Sequence, residues 1–103
     1  MSREARDKNM VKTLRRKSGI IKKYYFYLAR CNDKSLYSGY TINIENREHK
    51  HNIGQGAKYT KYKRPIKIIY WEEFKTRKKA MQREAQVKRW SKIKKEDLIN
   101  NSL

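Results

Sequence analysis

Two tyrosines, an arginine, a histidine and a glutamate stand in settings where their chemistry could be used: Tyr27, Tyr37, Arg47, His51 and Glu84. Tyr25 and Tyr27 alternate onto one face of an extended run, while Phe26 and Leu28 take the other. In the next run Tyr37 and Gly39 share a face. If the two runs pair, a tyrosine from each strand meets the other on one side of the sheet, and Gly39 leaves space there for a ligand to approach the backbone. Ile44, Arg47 and His51 are spaced by three and four, which is one face of a helix. Ile44 is the clear apolar anchor of that face, so Arg47 and His51 are expected to point at the sheet. Glu84 falls, at ~100° per residue, into a stripe with Ala80, Met81, Ala85 and Val87, opposite Lys79, Gln82, Arg83, Gln86 and Arg89. A carboxylate in an apolar stripe is costly unless it pairs with a cation or coordinates a metal. In a chain with 28 Lys and Arg, both readings stay open.

These residues need elements to hold them. Tyr25 to Cys31 and Leu36 to Thr41 are aromatic and aliphatic runs separated by Asn32-Asp33-Lys34-Ser35, the pattern of a β-hairpin. Asn43 or Thr41 can cap a short helix from about Asn43 to Asn52, with Glu45 in its first turn. Ile66 to Phe74 reads as a strand with Ile66, Ile68 and Tyr70 on one face and Ile69 and Trp71 on the other. That predicts a strand covered on both sides, in the middle of a small sheet or under helices. Thr76 caps a helix to about Trp90, and Ser91 caps a last one from Lys92 to about Asn100. The order strand, strand, helix, strand, helix, helix gives an α+β domain.

Between these elements, residues 53–65 form a Gly-containing loop in which Lys58, Tyr59, Lys61, Lys63 and Arg64 arrive without an acidic neighbour. Cations interleaved with tyrosines suit phosphate contact with bases stacking on the rings. The formal net charge of +18, from 28 Lys and Arg against 10 Asp and Glu, exceeds what solubility requires and points to a polyanion, with nucleic acid first. An anionic membrane surface is the weaker rival, because no stretch joins a basic face to a broad apolar one. The sequence has no apolar run of membrane-spanning length and no secretory signal, so a cytoplasmic location is expected. Cys31, the one cysteine, reads as a small buried hydrophobe. Residues 1–22 carry eight cations against Glu4 and Asp7 and read as a basic arm, either a phosphate-contacting extension or a solvated tail; residues 23–100 form the domain.

Taken together, Tyr25-Phe26-Tyr27, Tyr37-Ser38-Gly39, Arg47 with His51, Glu84 and the Gly54 to Thr60 run resemble the GIY-YIG nuclease superfamily in its short, single-domain bacterial form. Tyr25 and Phe26 replace the Gly and Ile of the first motif, and Ser38 replaces the Ile of the second. The phenols and Gly39 are kept, so the departures bear on strand packing more than on chemistry. The resemblance implies a small antiparallel sheet of about three strands flanked by helices in the order ββαβαα. It also implies a divalent-metal-dependent nuclease acting on DNA, or on RNA, and leaving 3′-hydroxyl and 5′-phosphate ends.

In that scheme Glu84 binds one Mg²⁺ or Mn²⁺ and no organic cofactor is needed. Tyr27 acts as general base and Tyr37 positions the water or shares its proton. Arg47 braces the scissile phosphate. His51 either orients Tyr27 or is itself the base. A tyrosine base needs nearby positive charge to favour its phenolate, which so basic a chain is expected to supply. Tyr25 is expected to serve packing. The reading from a different class is a binding module that keeps the fold without the chemistry; a ribosome-associated basic protein rests on charge alone.

Overall fold

The computed structural model describes residues 22–102; the basic arm expected over residues 1–22 lies, but for Lys22, outside the described residues. Six elements follow in the expected order: β1 (Tyr24–Arg30), β2 (Leu36–Thr41), α1 (Ile44–Asn52), β3 (Lys67–Phe74), α2 (Arg77–Lys88) and α3 (Lys92–Asn101). The strands form one antiparallel sheet in the order β2-β1-β3, so β1 is its centre. Each helix starts on a side-chain cap: Asn43, Thr76 and Ser91 accept from the backbone N–H three residues on.

Because β1 is central, its alternation supplies both faces of the sheet. Phe26 and Leu28 enter one core with Leu36, Val87 and Ile99, beneath α2 and α3. Tyr27 and Ala29 enter the other with Cys31, Ile66 and Ile68, with Ile44 of α1 packed against it. Cys31 is buried and free, as its composition suggests.

β3 departs from the expected pattern twice. It is an edge strand, and Trp71 is 51% exposed. A bulge also shifts the register: Ala29 faces Ile68 but Leu28 faces Tyr70, leaving Ile69 as the extra residue. Ile68 therefore joins the Tyr27 core while Ile69 and Tyr70 pack on the Phe26 side. The strict alternation that put Ile68 and Tyr70 together fails at that one residue.

The buried stripe of α2 is also turned from the one expected. Ala80 and Val87 are buried, but Met81 and Ala85 are exposed. Arg83 faces inward instead, because Glu72 lies opposite Phe26 on the covered face and needs a counter-charge. The Arg83 guanidinium donates to both Glu72 oxygens, at 2.9 and 3.1 Å, and lies over the Trp90 ring. Glu84 remains half-buried at the margin of this stripe.

α1 is fastened to the start of β3 by side chains. Glu48 accepts from the Ile68 N–H at 2.7 Å, and Asn52 both accepts from the Ile66 N–H and donates to the Ile66 carbonyl. The loop between α1 and β3 is tied to the hairpin turn, where Asn32 N–H donates to the Lys63 carbonyl and Lys63 pairs with Asp33 at 2.9 Å. These ties fix α1 and the loop over the Tyr27 face.

Candidate active site

On that face Tyr27 has no exposed surface, and its ring lies across Gly39, its cross-strand partner. A Cβ at position 39 would come within 2.5 Å of the Tyr27 hydroxyl oxygen. The space opened by this glycine is therefore filled by the chain's own phenol, and not by an approaching ligand as the alternation alone suggests. Gly39 matters because it lets Tyr27 lie flat beneath α1.

The phenol oxygen sits 2.7 Å from His51 Nε2, and Arg47 Nε donates to it at 3.2 Å. His51, also without exposed surface, places Nδ1 2.8 Å from the Thr60 hydroxyl. Thr60 donates its single hydrogen to the Ala57 carbonyl at 2.9 Å, which can only accept. Thr60 must therefore accept from His51, placing the imidazole hydrogen on Nδ1. Nε2 is left as an acceptor, and Tyr27 donates to it. The chain of donors runs Tyr27 to His51 to Thr60 to Ala57, with Arg47 donating into its head.

Electrostatics keep this chain neutral apart from Arg47. Burial, above all, pushes the Tyr27 phenol up to about 12, against the pull of Arg47. Burial, and then the Arg47 charge, push His51 down to about 4. The expectation that surrounding cations favour a Tyr27 phenolate is thus reversed: desolvation wins over the one guanidinium in contact. Near neutral pH the site holds a phenol hydrogen-bonded to a neutral imidazole acceptor.

Tyr37 is half-buried and completes the cluster. Its ring meets His51 edge-on, with centroids 5.4 Å apart, and stacks on Tyr59 at 5.9 Å. Glu84 comes from α2 and is close enough for its charge to raise the Tyr27 pKa. Among the described residues its carboxylate takes part in no ion pair, so the pairing with a cation that the sequence left open is absent there. Nor do the described residues hold a group of three or more His, Cys, Asp or Glu fit to cage an ion. A single available carboxylate suits a hard divalent cation that keeps several waters and takes other oxygens from a phosphate, and it fits Mg²⁺ or Mn²⁺ on those terms.

The five loop residues expected to meet nucleic acid are not equivalent. Lys58 and Lys61 are exposed. Tyr59 is engaged by Tyr37, and the Lys63 ammonium lies 4.2 Å over its ring. Lys63 is also paired with Asp33, while Arg64 donates to the carbonyls of Lys61 and Asn52. Two residues that the sequence offered only as part of the Gly54 to Thr60 run, with no role of their own, belong to the site. Thr60 sets the imidazole tautomer, and Gly56 has no room for a Cβ, which would stand 2.9 Å from the His51 Cα. Neither carries a periodic signal; only the Gly-rich spacing of the loop hints at a close approach.

The GIY-YIG catalytic domain profile matches residues 23–97, and the chain belongs to that family. It is 50% identical to a UPF0213 protein of Staphylococcus saprophyticus over 78 residues, covering 76% of this chain and 95% of that one. A UPF0213 protein of Pediococcus pentosaceus is 54% identical over 78 residues, or 73% of this chain and 82% of the relative. Among solved structures, the solution NMR structure of a protein from E. faecalis superposes with a TM-score of 0.54 at 41% identity, covering 78% of this chain and 85% of that one. No helix among the described residues is long and apolar enough to cross a membrane.

Proposed function

We propose that this chain is a cytoplasmic, divalent-metal-dependent nuclease that hydrolyses phosphodiester bonds, with DNA as the substrate favoured over RNA. One observation carries the reading: Tyr27, Arg47 and His51 are joined by hydrogen bonds, Tyr37 packs on them, and Glu84, in no ion pair among the described residues, lies within electrostatic reach. A module that only bound nucleic acid would need the basic surface and none of this.

Glu84 would hold one Mg²⁺ or Mn²⁺, which supplies Lewis-acid stabilisation of charge on the departing oxygen. Arg47 first covers the Tyr27 oxygen; as the scissile phosphate arrives, its guanidinium exchanges that contact for a phosphate oxygen. The exchange uncovers the phenol and moves a positive charge away from His51, which raises the basicity of the imidazole. An attacking water, held by Tyr37, then gives a proton to the Tyr27 oxygen while the phenol's own proton passes to His51 Nε2. Tyr27 ends as it began, and the proton rests on His51. The general base is thus the pair, with Tyr27 as the conduit and His51 as the acceptor.

Protein supplied with Mg²⁺ or Mn²⁺ is expected to nick DNA and to stop in EDTA. Glu84→Ala should abolish cutting while binding measured in EDTA stays nearly unchanged. Equal cutting by the wild type and Glu84→Ala would sink the reading, and intact binding with no cutting by either protein would leave the binding module.

A further inference from the structure

At the β2 edge, beside Tyr37, lies a depression of about 320 Å³ lined by Leu36, Tyr37, Ser38, Tyr59, Lys88 and Lys95. Ser38 is 3% exposed, and its hydroxyl is buried with no hydrogen-bond partner among the described residues. A stranded hydroxyl is costly in a folded interior, so its presence calls for an explanation that the fold does not supply. Two ammonium groups share the depression, and neither takes part in an ion pair among the described residues. Burial, and to a lesser degree the like charge of Lys88, hold the Lys95 pKa below its ordinary value, against the pull of Tyr59. Two cations crowded beside an unsatisfied donor are what an anion would relieve.

Its position narrows the anion. Tyr37 forms a wall of both this depression and the catalytic cluster, and Lys88 stands one turn beyond Glu84 on α2. We propose that the depression seats a second phosphate group of the substrate strand, next to the one being cut, with Lys88 and Lys95 as its counter-charges and Ser38 donating to one of its oxygens. The inference rests on the nuclease reading for the identity of the strand, and on Ser38 and the two lysines for the site itself. A strand held at two successive phosphates is fixed in direction, which an evenly spread basic surface cannot do. The same chemistry would accept an internal diester or the terminal phosphate of a strand end.

Backbone and lysine side-chain NMR signals of the full chain in EDTA, titrated with the thymidine dinucleotides TpT and pTpT, test this without any cleavage. The Ser38 amide and the Lys95 side chain should shift saturably, and Lys88→Gln/Lys95→Gln should weaken binding by about tenfold or more, as expected for lost charge-assisted contacts. Similar affinity for the two ligands assigns the site to an internal diester; much tighter pTpT binding assigns it to a 5′ end. Ser38→Ala should weaken binding several-fold while stability stays equal or rises, because the hydroxyl has no partner to lose. No shift at Ser38 with either ligand, unchanged binding in the double variant, or a clear loss of stability in Ser38→Ala would overturn the proposal. Since the titration reads binding alone, a protein that seats phosphate but cuts nothing refutes the nuclease reading and not the pocket, and the converse holds equally.

Discussion

Phe26 and Tyr27 are neighbours on the central strand, are equally buried, and live in opposite kinds of interior. The Phe26 face is closed by Leu28, Leu36, Val87 and Ile99, apart from the Arg83–Glu72 pair and the Ser38 hydroxyl near its edge. The Tyr27 face buries a phenol, an imidazole and a threonine hydroxyl, each satisfied by the next. Apolar packing tolerates small shifts at modest cost, whereas a polar chain that loses one member leaves the others stranded in low dielectric. The first face should therefore govern stability with little say in chemistry, and the second should govern both. Glu84 joins them: it grows from the helix that closes the apolar face, and its charge is felt on the other.

The sharpest break between the faces should come from His51→Ala, which removes the proton acceptor and should lower cleavage by roughly 10²–10⁴-fold in a DNA-nicking assay, and also lower stability in urea unfolding, because the buried Tyr27 hydroxyl loses its acceptor. On the opposite face Leu28→Ala should cost about 2–5 kcal/mol in urea unfolding and leave the rate per folded molecule within a few-fold of wild type. If Leu28→Ala abolished cutting at full folding, the division between the faces would be wrong. Gly39→Ala should do both kinds of harm: its methyl forces the Tyr27 ring aside, costing about 1–3 kcal/mol and most of the activity, although no polar atom is removed. The smallest effect is in pH. His51 titrates at about 4 in the folded chain and near 6.5 when released. Between those values the unfolded chain binds more protons, so stability should fall as pH drops through that window and be flat in this respect above it. His51→Gln should remove that part of the acid sensitivity, and an unchanged urea midpoint profile would show that the imidazole is not buried neutral.

Much of this was legible before any coordinates. The hairpin, the capped helices and the side of α1 that faces the sheet follow from turn residues, caps and the anchor Ile44. They are local signals read over a few residues, and the cluster of Tyr27, Tyr37, Arg47 and His51 follows from them once β1 and β2 pair. What escaped is what depends on contacts distant in sequence. Ile68 and Ile69 are both apolar, so the bulge between them leaves no mark on the pattern. Arg83 looks like a surface residue until Glu72 is known to point into the same core. Thr60 gains its importance only from a histidine nine residues earlier, through a loop with no period. Glu84 was visible as an anomaly, but not that it takes part in no ion pair among the described residues.

The donor chain beneath α1 ends at the Ala57 carbonyl, inside the segment whose Lys58 faces outward. One short piece of backbone is thus both solvent-facing at Lys58 and the final anchor of the imidazole. A shift of this segment would move the Ala57 carbonyl, and through Thr60 the placement of the imidazole hydrogen at the centre of the site.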